Sequence, residues 1–271
     1  MFSGRSADGP RGRSAVSDAV RLALLSDVHA NLPALEATLA HVDARGVDAV
    51  YHLGDLVGYA PWPNETVALI EQRRIVGVSG NYDSTVAADY RHCGCKYEDP
   101  QQEALSHVSY AWTREHVTPA TKAFLRALPF RLDVRPFGGH APGPRVVLVH
   151  GTPTLNTLYW TADRSDAFCT QMAALAGIVA GDVIAFGHTH VPWHRAVNGM
   201  HFVNVGSVGR PKDGDPRASY AELTFDPDGG VVILVHRVAY EVSAAARGIR
   251  QSTLPDEFAE FLETGGSAPA S

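Results

Sequence analysis

The sequence has few cysteines, no long uninterrupted apolar run and no excess of positive charge, and each of these absences argues against a class of protein. Three cysteines occur among the 271 residues, Cys93, Cys95 and Cys169, without a Cys-x-x-Cys pair, so a disulfide framework is not expected. The apolar stretch from 172 to 186 is interrupted by glycines and an aspartate and falls short of the roughly 20 residues that span a membrane. A formal net charge of -6 argues against a protein that grips duplex nucleic acid. We therefore expect a cytoplasmic protein with no membrane attachment and no stable nucleic-acid complex.

Composition divides the chain into a long central part and two short ends. Residues 1–19 are rich in serine, glycine and arginine and predict a disordered tail; no apolar segment typical of a signal peptide follows, so export is not expected. Residues 20–250 predict one domain with a helical insertion at about 90–144, and residues 251–271 predict a C-terminal helix and tail. The length is sufficient for one large α/β core, and we expect a monomer or a small homo-oligomer.

Five apolar, strand-like runs are each followed by polar residues that can bind a cation. The runs are 22–25, 49–53, 75–78, 146–149 and 182–186, and the residues that follow them are Asp27, His29, Asp55, Asn81, His150, His188 and His190. Parallel strands that alternate with helices place their C-terminal ends along one edge of a sheet, where α/β proteins bind ligands. Residues two apart in extended backbone point the same way, so we expect His188 and His190 to share one small volume. Seven oxygen and imidazole ligands are too many for one ion and suit two divalent cations that share a carboxylate.

Apolar residues at spacings of three and four predict helices between these strands. The clearest helix contains Leu35 and Leu39, with Asn31 as its N-cap and Gly46 as its stop. Further helices are predicted at 64–73, 100–117, 119–128 and 165–178. The alternation of strands and helices predicts an α/β fold.

Beyond residue 192 the pattern becomes β-like. Asn198-Gly199 predicts a tight hairpin, and a second hairpin is predicted at 219–237. Four strands in succession predict a second, largely antiparallel sheet that packs on the first, with the helices outside and the two sheets inside.

The motifs also occur in a definite order: Asp27-x-His29, Gly54-Asp55, Gly80-Asn81, His150 and Gly187-His188-x-His190. This order resembles that of the calcineurin-like metallophosphoesterase superfamily, and its details are similar to the small bacterial phosphodiesterase-type members, over about residues 21–240. The resemblance implies a four-layer αββα sandwich, with two mixed β-sheets flanked by helices and a dinuclear metal site at the C-terminal edge of the strands. It implies that Asp27, His29, Asp55 and His190 hold one metal, and that Asp55, Asn81, His150 and His188 hold the other. Asp55 would bridge the two.

Two divalent cations would lower the pKa of a bridging water and polarise the oxygens of a phosphate ester. We therefore expect metal-dependent hydrolysis of a small phosphorylated substrate by a bridging hydroxide, with phosphodiesters as the first choice. Phosphomonoesters, phosphoproteins and dinucleoside polyphosphates are alternatives for the same site. The ligand set predicts two divalent metal ions, with Mn as the first choice and Fe, Co, Ni or Zn as alternatives.

Candidate residues for catalysis and substrate binding extend beyond the ligands. The glycine-rich loop after Asn204 carries Ser207 and Arg210, which we predict to bind substrate phosphate, with Lys212 and Arg217 as further cations; a solvated loop is the alternative. The predicted catalytic residues are Asp55, Asn81, His150, Tyr82 and Asp83.

Tyr82 occupies the position at which the family commonly has a histidine that protonates the leaving oxygen. A tyrosine with its ordinary pKa near 10 is a poor proton donor at neutral pH, so the general acid is predicted to be missing. Asp83 then shapes the loop. The insertion histidines His92, His107 and His116 are expected to be solvated, with a role as the general acid as the alternative.

Three other functions fit the sequence less well. A non-catalytic scaffold on the same fold would have an eroded ligand set, whereas this set is complete. A metallo-β-lactamase-type hydrolase would need Asp-His after the His-x-His pair, where Val191-Pro192 stands. A nuclease acting on DNA ends would need a basic groove or an extra capping domain.

Overall fold

The computed structural model describes residues 19–95, 99–138 and 143–266. The predicted disordered tail therefore lies, apart from residue 19, outside the described residues. Among the described residues, no helix is both long and apolar enough to cross a membrane.

Ten strands and eight helices make up the described part of the chain. In chain order the strands are β1 (Val20–Leu25), β2 (Ala49–His52), β3 (Val76–Gly77), β4 (Leu132–Val134), β5 (Val146–Leu148), β6 (Val183–Phe186), β7 (Trp193–Val197), β8 (Met200–Asn204), β9 (Ala218–Phe225) and β10 (Val231–Val238). The helices are α1 (Leu32–Arg45), α2 (Pro63–Gln72), α3 (Asn81–Ala87), α4 (Pro100–His116), α5 (Pro119–Ala127), α6 (Asp166–Ala176), α7 (Val242–Arg250) and α8 (Glu257–Thr264).

The strands form two mixed five-stranded sheets, which confirms the predicted α/β sandwich. The first sheet has the order β10-β9-β1-β2-β3, with β1, β2 and β3 parallel and β9 antiparallel to β1. The second has the order β4-β5-β6-β8-β7, with β5, β6 and β8 parallel. The ligand-bearing strands are therefore divided between two sheets, and the expectation of a single sheet edge was wrong.

Both predicted hairpins are confirmed, but the prediction that they form one sheet was wrong. Asn198 and Gly199 have φ values of 50° and 75°, as the tight turn between β7 and β8 requires. This hairpin extends the second sheet because β8 runs parallel beside β6. The β9–β10 hairpin instead extends the first sheet because β9 runs antiparallel beside β1. Each hairpin thus covers an edge that would otherwise remain unpaired.

Helix α1 shows how local sequence sets its bounds. The Asn31 side chain accepts a hydrogen bond from the Ala34 N–H, and Gly46 ends the helix in the left-handed conformation with φ 63°. Between these caps, Leu35 and Leu39 are buried against the first sheet, as their spacing predicts.

The two faces of β1 are both buried, because the sheets pack face to face. Leu22 and Leu24 point toward the second sheet and pack with Val183 and Ala185. Ala23 and Leu25 point the other way, into the cluster beneath the helices. Burial of each large apolar side chain stabilises the fold by about 1.5–3 kcal/mol. The core therefore holds the strand ends, and the polar residues that follow them, in fixed relative positions.

Glu222, on β9, is a buried carboxylate that contacts two arginines and a histidine. Arg21 Nη2 donates to its Oε1 over 2.7 Å, Arg45 Nε donates to its Oε2, and His236 Nε2 lies 3.1 Å from Oε2. Burial alone would raise the pKa of Glu222, but the hydrogen bonds from Arg45 and Arg21 hold it at about 2. The charged form is therefore stabilised in the folded protein.

Glu222→Gln should lower the free energy of unfolding by about 1–3 kcal/mol at neutral pH, because it removes a buried, charge-assisted set of hydrogen bonds. A carboxylate whose pKa is depressed by folding contributes stability above its unfolded pKa, and loses it as pH falls toward the folded value of about 2. Urea denaturation should therefore show a difference between wild type and variant that shrinks on acidification. The exposed Glu71→Gln on α2 is the control, and an equally large Glu222→Gln effect at every pH would contradict the assignment.

Candidate metal centre

The seven predicted ligand residues lie together where the edges of the two sheets meet. Asp27 and His29 follow β1, Asp55 follows β2, Asn81 begins α3, His150 follows β5, and His188 and His190 follow β6. Each is at most 4% exposed. The structure thus places all seven in one buried chamber at the ends of five strands.

Six of these residues form two adjoining clusters, each able to hold a metal ion. Asp27, His29 and His190 form the first cluster, and Asp55, His150 and His188 form the second; within each, the ligand atoms lie within 4.8 Å of one another. Asp55 Oδ2 is 3.8 Å from His29 Nε2 and 3.5 Å from His150 Nε2. Asp55 therefore faces both clusters, as a bridging ligand must.

Three backbone carbonyls fix the orientation of three of the imidazoles. The Nδ1 atoms of His29, His150 and His190 lie 3.0, 2.7 and 2.5 Å from the carbonyl oxygens of Val57, Leu53 and Arg210. A carbonyl can only accept, so each Nδ1 carries a hydrogen and each Nε2 is turned into the chamber. This is the arrangement by which proteins orient histidine ligands of metals.

Several of these inward-facing atoms lack a suitable partner within the protein. The Nε2 atoms of His29 and His190 are 3.1 Å apart and, in neutral rings with Nδ1 protonated, present lone pairs to each other. Asp27 Oδ1 and His188 Nε2 are buried without a hydrogen-bond partner. Burial of such atoms is unfavourable unless a cation satisfies them. The donor set therefore fits divalent metal ions.

The charges of the chamber favour a cation. Although burial alone would raise them, the neighbouring imidazoles hold the pKa values of Asp27 and Asp55 below the ordinary value for aspartate. Burial lowers the pKa of His29 and of His188 to about 3, which keeps both imidazoles neutral. His150 differs, because against the effect of burial the charge of Asp55 raises its pKa to about 10. Apart from His150, negative carboxylates thus lie beside neutral imidazoles, those of His29 and His188.

Asn81 joins the second cluster through its amide oxygen. Asn81 Oδ1 is 3.1 Å from His150 Nε2, while its Nδ2 donates to Cys95 Sγ over 3.1 Å. The contact with Cys95 directs the amide oxygen toward the chamber. The amide therefore offers a neutral oxygen at the position where the sequence predicts a ligand.

Five of the ligand residues have left-handed backbone. The φ values are 52° for Asp27, 48° for His29, 52° for Asp55, 65° for His188 and 61° for His190. The expectation that His188 and His190 project from extended backbone was therefore wrong. Both residues do line the same chamber, although they belong to different clusters. Such conformations cost on the order of 1–3 kcal/mol each and persist only where the surroundings enforce them.

Glycines in the motifs allow the close approach of these loops. A Cβ on Gly80 would lie 2.0 Å from Asp55 Oδ1, and a Cβ on Gly187 would lie 2.0 Å from Ser26 Oγ and 2.3 Å from Asp27 Oδ2. No side chain fits at either position. The glycines that precede Asn81 and His188 in the sequence thus make room for the carboxylates of the same site.

The inner chamber opens into a larger outer pocket. Besides five of the predicted ligands, the inner chamber is lined by Tyr59, Tyr82, Cys95, Tyr159 and Lys212. The outer pocket has a volume of about 980 Å³. Its lining includes four aromatic rings, three cations and two carboxylates: Tyr59, Tyr159, Phe168, Phe261, Arg164, Arg210, Lys212, Asp99 and Asp163. Tyr59, Tyr159 and Lys212 line both spaces and therefore mark the passage between them.

The predicted phosphate-binding residues take different positions. The Arg210 guanidinium lies between two rings, 4.0 Å from the centroid of Tyr59 and 3.7 Å from that of Phe261, at the wall of the outer pocket. Ser207 is fully buried, and its hydroxyl donates to the Asp27 carbonyl over 2.8 Å and accepts from the Arg210 N–H over 2.8 Å. Ser207 therefore lies beneath the loop, away from its accessible surface. Arg217 is exposed and pairs with Asp215.

The Tyr82 hydroxyl contacts α4. It lies 3.2 Å from Ser106 Oγ, and burial raises its pKa well above the ordinary value. Asp83 accepts hydrogen bonds from the N–H groups of Leu56 and Gly80 over 2.9 and 3.0 Å. These bonds join the loop after β2 to the start of α3, consistent with a role for Asp83 in shaping the loop.

The three insertion histidines, His92, His107 and His116, are exposed, and none of them is among the lining residues of the inner chamber. His116 stacks on Trp112 at 3.8 Å between ring centroids. The insertion instead reaches the chamber through α4, where Ser109 Oγ accepts from the Tyr59 N–H over 2.9 Å.

Three residues of the site were not assigned a role from the sequence. Tyr159 stacks on His188 at 4.5 Å between centroids, and Phe261 covers Arg210. Asn204 Nδ2 donates to the Gly187 carbonyl over 2.7 Å and so supports the loop of His188. Asn204 is the last residue of β8, at the same edge as the ligands. The pattern of polar residues at strand ends could therefore have identified it as a residue of the site. Tyr159 and Phe261 lie outside that pattern.

The chain is similar in sequence to known phosphoesterases. Residues 20–228 match the calcineurin-like phosphoesterase superfamily domain. An uncharacterised protein of Methanocaldococcus jannaschii is 29% identical over 265 residues, which cover 90% of this chain and 98% of that protein. Phosphodiesterase YfcE of Escherichia coli strain K12 is 24% identical over 217 residues, 76% of this chain and 89% of the enzyme.

Two solved structures share the fold over nearly the whole chain. A metallophosphoesterase from Sphaerobacter thermophilus is 30% identical with a TM-score of 0.69, covering 92% of this chain and 100% of that one. A hypothetical protein from Pyrococcus horikoshii OT3 is 22% identical with a TM-score of 0.75, again covering 92% and 100% of the two chains.

Proposed function

This chain belongs to the calcineurin-like phosphoesterase superfamily and is a hydrolase, and from that premise we propose that it hydrolyses phosphodiesters at a dinuclear metal centre in the inner chamber. The observation that carries the proposal is the pair of adjoining ligand clusters with Asp55 facing both. Two metal ions a short distance apart are a recurring arrangement in enzymes that cleave phosphate esters.

The proposed ligand sets follow the two clusters. Asp27, His29, Asp55 and His190 would hold one cation, and Asp55, Asn81, His150 and His188 the other. When bound, such cations lower the pKa of a water between them and polarise phosphoryl oxygens. Mn remains our first choice, with Fe, Co, Ni or Zn as alternatives that the same nitrogen and oxygen donors accept.

The protein's own residues prepare the chamber for that chemistry. The carbonyls of Val57, Leu53 and Arg210 keep three imidazoles in ligating orientation. Lys212 lines the passage between the inner chamber and the outer pocket, where its ammonium can attract the phosphate. Burial of the ammonium, with the Arg210 charge as the next cause, lowers its pKa to about 8, so most of it stays protonated at neutral pH. We propose that Ser207 positions the loop and does not touch the substrate.

The outer pocket supports a diester over a monoester. A phosphodiester carries two organic substituents, and a pocket of about 980 Å³ beside the chamber can receive the second one. A monoester would leave much of this space unused. The rings of Tyr159 and Phe168 and the cation of Arg164 offer a mixed apolar and positively charged surface. The name of the relative YfcE, a phosphodiesterase, supports the same substrate class.

Four finer assignments accompany this proposal. The three cysteines, all among the described residues, form no disulfide, which suits the reducing cytoplasm. The substrate is a small phosphorylated molecule, and the chain acts as a monomer or a small homo-oligomer. The domain bounds stay as predicted, with one domain over residues 20–250.

Hydrolysis should depend steeply on the pKa of the leaving group. Tyr82 cannot donate a proton, because burial raises its pKa well above the ordinary value, so the leaving oxygen would depart as an anion. The measurement is kcat for aryl methyl phosphodiesters that differ only in the acidity of the phenol, with the Mn-loaded enzyme. We expect the rate to fall as the phenol becomes less acidic.

The control is Tyr110→Phe, which removes a hydroxyl bonded to the Tyr90 carbonyl, outside the lining of the chamber, and should leave the dependence unchanged. Rates that do not vary along the series, with chemistry shown to be rate-limiting, would mean that another residue supplies the proton. A higher rate for phosphomonoesters than for every diester would favour the monoesterase alternative.

A further inference from the structure

We propose that the C-terminal helix α8 positions the first ligand cluster: Phe261 holds the Arg210 side chain against Tyr59, and the Arg210 carbonyl holds His190 in its ligating orientation. This inference rests on the proposed metal centre. It assigns Phe261, Arg210 and Tyr59 as positioning residues, which act on the cation through His190 and His29.

The first step is the stack itself. The Arg210 guanidinium lies 3.7 Å from the ring centroid of Phe261 and 4.0 Å from that of Tyr59, so one aromatic ring covers each face. Arg210 is 4% exposed. Cations held against aromatic faces away from water are strongly attracted, and the planar guanidinium matches the ring shape. The side chain of Arg210 therefore has little freedom while Phe261 is in place.

The second step connects the stack to the ligands. The Arg210 carbonyl accepts the Nδ1–H of His190 over 2.5 Å. The Tyr59 ring meets the His29 ring edge to face, with 4.9 Å between centroids. Two members of the stack, Arg210 and Tyr59, thus each contact a histidine of the first cluster. A shift of Arg210 would move the group that sets the orientation of His190.

The third step is the packing of the C-terminal segment against the loop that carries Arg210. The Gly214 N–H donates to the Gly265 carbonyl over 2.9 Å. A Cβ on Gly266 would lie 2.7 Å from Phe261 Cζ and 3.0 Å from the Lys212 Cα. Phe258 adds an edge-to-face contact with Tyr59 at 5.5 Å. The segment after residue 257 is therefore packed directly on the loop that carries Arg210 and Lys212.

The second cluster provides an internal reference. His150 is oriented by the Leu53 carbonyl, and His188 is stacked on Tyr159. Neither of these contacts involves α8. Loss of the stack should therefore weaken one cation site and spare the other, which general destabilisation would not do.

The test uses the full chain freed of metal and titrated with Mn²⁺ by calorimetry. Phe261→Leu keeps an apolar side chain on α8 but removes the aromatic face, and Phe261→Ala removes both. We expect two binding steps in wild type, and in Phe261→Leu a loss of about 10-fold or more in the affinity of one step, because partners that orient a ligand contribute at this level. Phe261→Ala should lose at least as much in the same step.

Leu262→Ala is the matched control, because Leu262 is buried on the same helix but belongs to the core beneath it. It should lower the melting temperature while both Mn²⁺ affinities stay at their wild-type values. Wild-type affinities in both Phe261 variants, or the same selective loss in Leu262→Ala, would overturn the inference and leave the metal centre intact. Wild-type protein that binds no Mn²⁺ would overturn the proposed function and this inference together.

Discussion

Asp55→Asn should abolish phosphodiester hydrolysis, with a fall in kcat/KM on the order of 10³-fold or more, because a shared carboxylate contributes several kcal/mol of charge interaction with two cations. Asp55 Oδ2 faces His29 in one cluster and His150 in the other. An amide at this position has the same shape without the charge. Both cations should therefore bind more weakly, and at least one should be lost during purification.

The fold should survive this substitution. Asp55 Oδ1 accepts the Tyr82 N–H over 2.8 Å, and the carbonyl oxygen of asparagine can accept the same bond. Far-UV circular dichroism tests the fold, and elemental analysis after Mn²⁺ loading tests the metal content. A variant that keeps two metals per chain and normal turnover would contradict the bridging role.

A matched control lies at the opposite end of β6. Asp182 is also buried and accepts the N–H groups of Arg145 and Val179 over 2.8 and 3.1 Å. Asp182→Asn replaces one of these acceptor oxygens with an amide nitrogen and should lower stability. It lies outside the chamber, so turnover and metal content should stay at their wild-type values. This pair of variants separates loss of the metal centre from loss of a buried carboxylate.

Gly187→Ala should remove metal binding and destabilise the fold. The added Cβ would lie 2.0 Å from Ser26 Oγ and 2.3 Å from Asp27 Oδ2, so the backbone or the carboxylate must move. Overpacking of this kind costs typically 1–3 kcal/mol. The Gly187 N–H donates to the His150 carbonyl, so a shift at this point disturbs residues of both clusters.

Thermal denaturation and Mn²⁺ calorimetry measure the two effects of Gly187→Ala. Gly230→Ala is the control, because Gly230 lies exposed in the turn before β10, where the nearest atom to an added Cβ is Asp226 Oδ2 at 3.3 Å. It should change neither measurement appreciably. Two cations bound at wild-type affinity in Gly187→Ala would show that the loop can shift without harm to the ligands.

The ligands could be predicted from the sequence because each stands directly after an apolar strand. Local sequence determines where β1 ends, and Asp27 follows closely in the chain. Its position at the strand end can therefore be predicted without knowing which strands pair. The pairing of strands is different, because nothing within the β9–β10 hairpin specifies β1 as its neighbour. That choice depends on how the whole core packs, and the prediction of one antiparallel sheet failed for this reason.

Arg210 illustrates the same distinction at the level of one side chain. Its place in a glycine-rich loop predicts contact with phosphate, which stays a prediction, but the position of its guanidinium between Tyr59 and Phe261 could not be predicted from the loop. Tyr59 lies far before Arg210 in the sequence and Phe261 lies far after it. The contact of Phe261 with Arg210 depends on how α8 packs on the rest of the domain. The left-handed backbone of His188 likewise depends on how neighbouring loops pack, and the local sequence does not predict it.

The division of each ligand cluster between the two sheets has a consequence for the cohesion of the sandwich. Asp27 and His29 extend from the first sheet and His190 from the second, while Asp55 extends from the first sheet and His150 from the second. A cation held by either set would fasten one sheet to the other at the edge where the ligands meet. Metal binding and sheet docking are then thermodynamically linked, so that each favours the other. Because the three cysteines, all in the described part of the chain, form no disulfide, the metal ions would serve as the cross-links of this protein.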